Sequence, residues 1–515
     1  MKYWVTPGEM TEYDRRAIQN GTPADILMER AGTSAAAAAM RMAAPGSGPV
    51  IVFAGPGNNG GDGLVLARIL RQKGYKIWIV LAGMNGKKLS PGCLTNLERY
   101  TQSEGIVLST EMLHELPDFP SLVVDALIGT GFRGTIKDEF ALCLTRISEY
   151  NCKILSVDTP SGINCKTGEA DPLALHSDVT VTFAAPKAGI LIPPGCGFAG
   201  TVLVADIGID IDKPDDRMIP GLSDVSALLP PRPPDGHKGT FGRLLLLGGS
   251  ETMPGAPQLM ALGALRAGVG LVTLSVPLSI HQLVAGRIPE VLSSYFLPDD
   301  PDSLPVSSDF NAAAAGPGMG NTAATKDIIA GILKNWTVPL VLDADALNVL
   351  DDPVTILKDY GGPLLITPHP GEMAKLAKCD PADIAGRSVA AKMLAESAGI
   401  TVVLKGRPTM VFSQDGRSCT IPAGNSGLAS GGSGDILTGI LASLMAQGMK
   451  PFDAGVLGVF VHGLAADMAI ESSSERSLIP SDAASCLGKA FRVIELGVNS
   501  ALLTSGGKWN SDYID

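Results

Sequence analysis

A glycine-rich segment that follows a run of apolar, β-branched residues constrains the fold of this chain most strongly. The run is VIVFA at residues 50–54, and the segment GPGNNGGDG at residues 55–63 joins it to a stretch with a helical pattern. A strand, a tight glycine turn and a helix in this order are typical of parallel α/β sheets. The segment therefore predicts a doubly wound α/β fold.

The same alternation of apolar runs and Ala- and Leu-rich segments occurs in both halves of the 515 residues, a length that favours at least two domains. A stretch rich in Pro, Asp and Gly at residues 211–239 separates the halves, and we place the boundary in its first part. The N-terminal domain, residues 1–212, is predicted as a Rossmann-like doubly wound sheet, and the C-terminal domain, residues 222–515, as a second α/β domain. The predicted strands are 50–54, 76–81, 122–125, 154–158, 179–183 and 201–205, then 244–247, 271–275, 312–315, 340–342, 364–367 and 401–404.

Composition excludes several classes of function. The net charge of −12 argues against nucleic acid as a partner, because a phosphate backbone requires clustered Lys and Arg. The eight cysteines form no CxxC pair, which is typical of free thiols in a reducing cytosol. No apolar run reaches the ~18 residues that a membrane span needs, and the longest, at 456–470, contains His462 and Asp467. We therefore expect a cytoplasmic protein with no membrane partner.

The glycine-rich segment carries more side-chain ligands than a plain phosphate loop needs. Its glycines match the GxGxxG spacing, but the next predicted strand has no acid at its end to hold a ribose, which disfavours a simple NAD dehydrogenase. Backbone amides at a helix start can hold phosphate, and Asn58, Asn59 and Asp62 add polar side chains. A purely structural turn and cap is the alternative.

Two further loops follow predicted strands: VDALIGTGFRG at 124–134 and SVDTPSG at 156–162. Ligands of open α/β sheets bind beyond the carboxyl ends of the strands, so Asp125, Asp158 and the glycine-rich segment are expected to converge. Together they indicate an oxygen-lined cation site beside a polar small-molecule site. Taken singly, either aspartate is also explained as a helix or turn cap.

These three motifs, in this order, resemble the YjeF N-terminal domain family, the NAD(P)H-hydrate epimerases, over roughly residues 1–212. The resemblance implies that Asp158 performs the acid/base step and that Asn59, Asp125 and Ser161 hold a potassium ion. Thr159 stands where the family usually has Ile, but the aspartate and serine of the motif are intact. The implied contacts with the hydrated nicotinamide nucleotide are Asn58, Asn59, Gly60, Gly61, Asp62, Gly129, Thr130, Gly131, Phe132, Arg133, Gly134, Thr135 and Asp158.

The second domain has a different glycine-rich segment, NSGLASGGSGD at residues 425–435, which runs into an apolar helix. Successive glycine amides at a helix start form an anion site, and the helix dipole favours the ionised form of Asp435. A carboxylate beside a phosphate site can deprotonate an attacking hydroxyl. A helix cap without chemistry is the alternative. No GxxxxGK[ST] motif occurs, so the domain is not a P-loop enzyme.

This segment resembles the ribokinase-like superfamily and, more narrowly, the NAD(P)H-hydrate dehydratases, over roughly residues 222–515. The supporting motifs are HKG at 237–239, GAP at 255–257, AGVGLV at 267–272, GPGMG at 316–320, VLDADALN at 341–348 and TPHPGE at 367–372.

The resemblance implies that Asp435 is the catalytic base and that ADP or ATP with Mg²⁺ is the phosphate donor. Asp343 and Asp345 either help to hold Mg²⁺ or cap the next helix. His369 alone would be a loop histidine and Lys405 alone a solvated surface charge, but their motifs favour functional roles. The implied contacts are Ala256, Gly318, His369 and Asp435 for the hydrated nucleotide, and Lys405, Gly406, Arg407, Pro408, Thr409 and Gly434 for the donor.

The sequence thus predicts a bifunctional enzyme that repairs hydrated NADH and NADPH, with an epimerase domain followed by a dehydratase domain. The resemblance also implies a homo-oligomer. The alternative is a ribokinase-like small-molecule kinase, which releases a stable phosphate ester, fused to a non-catalytic nucleotide-binding module.

Overall fold

The computed structural model describes residues 2–83, 88–102, 105–380 and 383–496. The chain divides into two compact units, one formed by Lys2–Lys213 and the other beginning at Pro214. Each unit has its own buried apolar core. The two α/β domains predicted from the sequence are therefore present as separate units.

The N-terminal unit is a parallel sheet with the strand order β3-β2-β1-β4-β5-β6-β7, a doubly wound arrangement. Its central strands are buried on both faces, as their Val- and Ile-rich sequences require. The strands are β1 (Val50–Ala54), β2 (Ile77–Leu81), β3 (Ile106–Ser109), β4 (Leu122–Ala126), β5 (Lys153–Val157), β6 (Val179–Phe183) and β7 (Thr201–Ala205).

Helices cover this sheet: α1 (Pro7–Gln19), α2 (Ala24–Met42), α3 (Asn58–Gln72), α4 (Pro91–Thr101) and α5 (Asp138–Ser148). The first helix begins at a capping box, in which the Glu9 N–H donates to Thr6 Oγ1 and the Thr6 N–H donates to the Glu9 carboxylate. Small residues bring α2 against α3, since a Cβ at Gly32 would lie 2.4 Å from Val65 Cβ.

The C-terminal unit has the strand order β8-β17-β16-β15-β14-β13-β12-β9-β10-β11. All pairs are parallel except β15 with β16 and β16 with β17, which are antiparallel. The strands are β8 (Met218–Ile219), β9 (Arg243–Leu247), β10 (Leu271–Pro277), β11 (Leu292–Phe296), β12 (Ala312–Ala315), β13 (Leu340–Leu342), β14 (Leu364–Ile366), β15 (Thr401–Leu404), β16 (Thr409–Phe412) and β17 (Ser418–Ile421).

The helices of this unit pack around the sheet. They are α6 (Leu222–Ser226), α7 (Ala256–Arg266), α8 (Leu278–Val284), α9 (Ala323–Asn335), α10 (Asp345–Asn348), α11 (Pro353–Lys358), α12 (Pro370–Ala377), α13 (Ile384–Ala398), α14 (Ser433–Ala446), α15 (Pro451–Ala469) and α16 (Pro480–Leu496).

One helical segment among the described residues, Pro451–Ser472, is long and apolar enough to cross a membrane by length and composition. However, 72% of its most apolar window is buried inside the protein. It also contains His462 and Asp467, which are both buried. Its apolar character is thus that of a core helix.

The segment that precedes residue 222 belongs to the second sheet. Strand β8 pairs with β17 at Met218 and Cys419, the Ser418 N–H donates to the Asp215 carbonyl (2.9 Å), and Ser418 Oγ donates to the Asp216 carbonyl (2.6 Å). A domain that begins at residue 222, as expected from the sequence, would omit this strand. We therefore propose Pro214 as the start of the second domain.

Separate chains of residues 1–213 and 214–515 are expected to fold, because each unit has its own core. A chain of residues 222–515 should be less stable than 214–515 by about 2–3 kcal/mol, since it loses β8 and its hydrogen bonds. Thermal unfolding followed by circular dichroism measures the difference. Equal melting temperatures for the two C-terminal chains would contradict a structural role for β8, and failure of both 1–213 and 214–515 would mean that the units depend on each other.

Candidate functional sites

A cavity of about 600 Å³ opens at the carboxyl edge of the N-terminal sheet. Of the residues predicted to contact the hydrated nucleotide, eight line it, whereas Gly60, Gly61, Asp62, Gly134 and Asp158 are not among its lining. The lining consists of Pro56, Gly57, Asn58, Asn59, Gly83, Leu127, Ile128, Gly129, Thr130, Gly131, Phe132, Arg133, Thr135, Ile136, Lys137, Asp138, Glu139 and Phe140.

Two glycines let the backbone of the first loop approach its neighbours. A Cβ at Gly55 would lie 1.9 Å from the Leu127 carbonyl oxygen, and a Cβ at Gly60 would lie 1.9 Å from the Gly55 carbonyl oxygen. No side chain fits in either place: Gly55 lets the loops after β1 and β4 approach each other, and Gly60 lets the start of α3 pack against the loop that precedes it. Gly60 therefore shapes the wall of the cavity without lining it.

Asp125 lies at the end of β4, is fully buried and accepts four hydrogen bonds. Its Oδ1 accepts from Ser161 Oγ (2.6 Å) and the Leu127 N–H (3.2 Å), and its Oδ2 accepts from the Ser161 N–H (2.8 Å) and Ser156 Oγ (2.9 Å). Burial raises the pKa of this carboxyl, and the hydrogen bonds oppose that rise. The aspartate thus fastens the loop after β5 to the end of β4.

The amide of Asn59 is an exception to the satisfied polar groups around it. Its Nδ2 and Oδ1 are both buried and have no hydrogen-bond partner in the structure. Asn59 packs against Gly129, whose added Cβ would lie 3.5 Å from Oδ1, and the neighbouring Ile128 N–H donates to Ser161 Oγ (3.0 Å). The structure therefore brings Asn59, Asp125 and Ser161 into one neighbourhood and leaves a buried amide oxygen available there.

Asp158 lies at the end of β5 in a different environment, paired with a residue that the sequence analysis missed. Lys187 Nζ is 2.5 Å from Asp158 Oδ1, and the Lys187 side chain is 1% exposed. The signal was available, because Lys187 follows β6 and the carboxyl ends of neighbouring parallel strands meet at one edge. No glycine-rich motif surrounds Lys187, so the sequence analysis did not select it as a candidate.

Two more carboxyls belong to this cluster, Asp14 on α1 and Asp62 on α3. Burial raises the pKa of Asp14 to about 6, with a smaller increase from Asp158 and a decrease from Lys187. Burial also raises the pKa of Asp62 well above its usual value, and Asp158 adds to that rise. The cluster thus contains one ammonium and three carboxyls, two of which are biased toward the protonated form.

Alanine substitutions at two positions of the glycine-rich loop should affect the stability of the N-terminal unit to different extents. Gly55→Ala is expected to destabilise the N-terminal unit by about 1–3 kcal/mol, because its Cβ would meet the Leu127 carbonyl. Gly57→Ala is the matched control, since it has negative φ and nothing within 4 Å of an added Cβ, and should change stability by less than about 0.5 kcal/mol. Chemical denaturation measures both. Equal stabilities would refute the close approach.

The C-terminal unit has a cavity of about 580 Å³ at the carboxyl ends of its strands. Among the residues predicted to bind nucleotides, His369, Lys405, Gly406, Arg407, Thr409 and Gly434 line it, whereas Pro408, Ala256, Gly318 and Asp435 do not. The remaining lining residues are Pro370, Ala423, Gly424, Asn425, Ser426, Leu428, Ala429, Ser433, Leu437, Val459, His462 and Gly463.

A buried ion pair stands at one side of this cavity. Lys405 Nζ donates to Asp343 Oδ1 (2.6 Å), and Thr438 Oγ1 donates to Asp343 Oδ2 (2.7 Å), so both oxygens of this 1% exposed carboxylate are bonded. Lys405 is therefore not a solvated surface charge. A Cβ at Gly434 would lie 3.2 Å from Lys405 Nζ, so the ammonium and the start of α14 border the same space.

Asp435 occupies the first turn of α14, beside that ion pair. The helix begins after Gly432, whose φ of +98° favours glycine. Burial raises the pKa of Asp435 to about 6, the charge of Asp343 raises it further and Lys405 lowers it. A carboxyl with this pKa can accept a proton near neutral pH, which suits a general base.

His369 is both a helix cap and a lining residue. Its Nδ1 accepts from the N–H groups of Gly371 (2.9 Å) and Glu372 (3.3 Å), which begin α12, and its Nε2 is 3.4 Å from Glu372 Oε1. The cap fixes the ring at the cavity.

Ala256, the first residue of α7, and Gly318, in the loop after β12, come together, since a Cβ at Gly318 would lie 3.0 Å from Ala256 Cβ. The carboxylate of Asp345 accepts from the Gly320 N–H (2.7 Å), so it fastens the GPGMG loop. Asp345 thus holds a loop of the site, which favours a structural role for at least one of its oxygens.

The other end of the cavity is mainly apolar, with Leu428, Leu437 and Val459 in its lining. His462 Nε2 is buried there without a hydrogen-bond partner, and burial lowers the pKa of His462 to about 4, so the ring is neutral. An apolar surface beside a cation fits a ligand with a flat base and a phosphate tail.

Comparison with known proteins identifies relatives of both units. Residues 24–189 match a family model described as YjeF-related protein N-terminus, and residues 244–488 match one described as NAD(P)H-hydrate dehydratase. The bifunctional NAD(P)H-hydrate repair enzyme Nnr of Moorella thermoacetica is 35% identical over 98% of this chain and all of its own, and that of Escherichia coli is 34% identical over 90% and 88%. The ADP/ATP-dependent NAD(P)H-hydrate dehydratase of Bacillus subtilis, co-crystallised with ATP and Mg²⁺, is 30% identical with a TM-score of 0.50, covering 54% of this chain and 99% of that one.

Proposed function

We infer that this chain, which belongs to the family of bifunctional NAD(P)H-hydrate repair enzymes, restores hydrated NADH and NADPH to the functional cofactors. The N-terminal unit interconverts the R and S hydrates, and the C-terminal unit dehydrates the S hydrate with ADP or ATP. The observation that carries the proposal is a cavity at the carboxyl edge of each sheet, with the partly exposed Asp158 at the same edge of the first sheet and Asp435 at the start of α14, which borders the second cavity. The protein acts in the cytoplasm as a homo-oligomer.

The epimerase reaction requires the ring carbon that bears the hydroxyl to lose and regain its configuration. A carboxylate within hydrogen-bond reach can take a proton from the substrate and return it. Asp158 is the candidate, because its side chain is 15% exposed at the edge where the glycine loops meet. Asn58 and the loop from Gly129 to Thr135 would hold the nucleotide in the cavity.

A potassium ion fits the neighbourhood of Asn59, Asp125 and Ser161. The unpartnered buried oxygen of Asn59 is a ligand of the kind that alkali cations use, and leaving it unbound costs free energy. The hydroxyl of Ser161 and the carboxylate of Asp125 supply further oxygens. The ion would neutralise buried negative charge and fix the loops around the substrate.

In the C-terminal unit, Asp435 takes the proton from the substrate hydroxyl while the terminal phosphoryl group of ADP or ATP is transferred to that oxygen. Loss of phosphate and of the proton on the adjacent carbon then restores the ring double bond, which leaves AMP or ADP. Lys405 and the amides before α14 border the space that suits the phosphates. His369, Ala256 and Gly318 would contact the hydrated nucleotide.

Magnesium would arrive with the nucleotide phosphates. Among the described residues no group of three His, Cys, Asp or Glu side chains is arranged to hold a metal. Mg²⁺ commonly needs only one or two carboxylates in addition to phosphate oxygens. Asp345, one oxygen of which accepts from the Gly320 N–H, would provide a carboxylate oxygen, and the ion would offset the charge of the transferred group.

Asp435→Asn is expected to lower the dehydratase rate by ~10²–10⁴-fold, because the amide cannot accept the proton. Epimerisation and nucleotide binding should persist. The wild-type dehydratase rate should be half-maximal near pH 6 and fall at lower pH, since the carboxyl must be ionised to act as a base. Regeneration of NADPH absorbance from the S hydrate, with chromatography of the epimers, measures both activities.

The same assay tests the proposal as a whole. Near-normal dehydration by the Asp435→Asn variant would remove this residue from the mechanism. Accumulation of a stable phosphorylated product would instead identify a kinase. Loss of both activities would mean that the substitution damages the protein.

Potassium should raise the melting temperature of the full-length protein relative to choline at equal ionic strength. An ion at 100 times its dissociation constant stabilises the folded state by about 2.7 kcal/mol. Asn59→Ala should abolish the effect, whereas Asn58→Ala, the exposed neighbour, should retain it. A potassium response that is absent from the wild type, or unchanged in Asn59→Ala, would contradict this site.

A further inference from the structure

Lys187 is among the largest fully buried side chains of the protein. An ammonium removed from water costs free energy unless it is paired and hydrogen-bonded. A lysine is seldom placed there for packing alone, because an apolar side chain would fill the volume at lower cost. Its partners therefore indicate what it does.

All three hydrogens of the ammonium have an acceptor inside the protein. Lys187 Nζ donates to Asp158 Oδ1 (2.5 Å), to Thr182 Oγ1 (3.1 Å) and to the Phe183 carbonyl (3.1 Å). No donor hydrogen remains for a substrate. Lys187 therefore acts on the reaction through Asp158.

The carboxylate of Asp158 is bonded through one oxygen. Its Oδ1 also accepts from Thr182 Oγ1 (3.0 Å) and the Phe183 N–H (3.4 Å). Among the described residues, no hydrogen bond is made to Oδ2. One oxygen is thus tied to the protein and the other is left for proton transfer.

The backbone makes a tight turn at Asp158 and another at Ala184, three residues before Lys187. Asp158 has φ +65°, and the Thr159 N–H donates to the Val157 carbonyl (2.8 Å) across it. Ala184 has φ +62°, and the Ala185 N–H donates to the Phe183 carbonyl (2.7 Å) across it. Such three-residue turns with positive φ are rare and strained for residues other than glycine. They end β5 and β6 and direct Asp158 and the segment of Lys187 toward each other.

We propose that Lys187 is a positioning residue of the epimerase: it holds Asp158 by Oδ1, so that Oδ2 is directed to exchange a proton with the substrate. The inference rests on the proposed role of Asp158. The carboxylate takes one proton and returns one, so it is unchanged after each turnover. The titratable groups that interact with the pair are Asp14 from α1, Asp62 from α3 and Cys165.

The test is a double-mutant cycle in the full-length protein with Asp158→Asn, Lys187→Met and both substitutions together. Lys187→Met should lower the epimerase kcat by ~10²-fold or more with a smaller change in KM, because the proton step and not binding is affected. The double variant should be no slower than Asp158→Asn, because Lys187 acts only through Asp158.

Lys187→Arg, which keeps the charge, should retain more activity than Lys187→Met, and circular dichroism should show that the variants are folded. If Lys187→Met alone does not fold, the double variant can still be measured, because it leaves no unpaired buried charge. Its activity can then be compared with that of Asp158→Asn. A wild-type kcat in Lys187→Met, or losses that multiply in the double variant, would overturn the inference. A wild-type protein without epimerase activity would refute the proposed function itself, and normal activity of Asp158→Asn would refute the role of Asp158 on which the inference depends.

Discussion

Carboxylates buried at the carboxyl ends of parallel strands are the constraint on which both sites depend. Asp125 in the first unit and Asp343 in the second are almost completely buried, and a buried charge without partners would be strongly destabilising. Each is satisfied by other segments of its unit: Asp125 by Ser161 in the loop after β5, and Asp343 by Lys405 after β15 and Thr438 on α14. The requirement to pair these charges thus fixes the loops that surround each cavity.

The two units form their cavities in different ways. In the first unit glycines remove side chains where loops cross, as Gly55 does beneath the Leu127 carbonyl, and polar side chains line the space that remains. In the second unit the start of α14 borders a cavity with a cation at one side and apolar residues at the other. The first arrangement suits a polar substrate and an ion, and the second suits a nucleotide.

Much of the fold and part of each site could be predicted from the sequence. The central strands were predicted closely, because a strand buried on both faces is a continuous apolar run. Strands β3 and β11 were missed because they are largely exposed and mix polar with apolar residues. Strands β16 and β17 were missed because they form a short hairpin that begins within residues 405–409, which were interpreted as a loop that contacts the phosphate donor. The family prediction is confirmed by relatives that match nearly the whole chain.

By itself, the sequence determined the class of fold, the existence of two domains and the loops that carry chemistry, since apolar periodicity and glycine spacing are local properties. Only the tertiary structure decided which residues meet. It paired Lys187 with Asp158, placed Asp158 outside the lining of the N-terminal cavity, left the amide of Asn59 buried without a partner and assigned β8 to the second sheet. These features depend on contacts between distant segments and on burial, which determines the free-energy cost of a charged group. Neither can be inferred from a local stretch of residues.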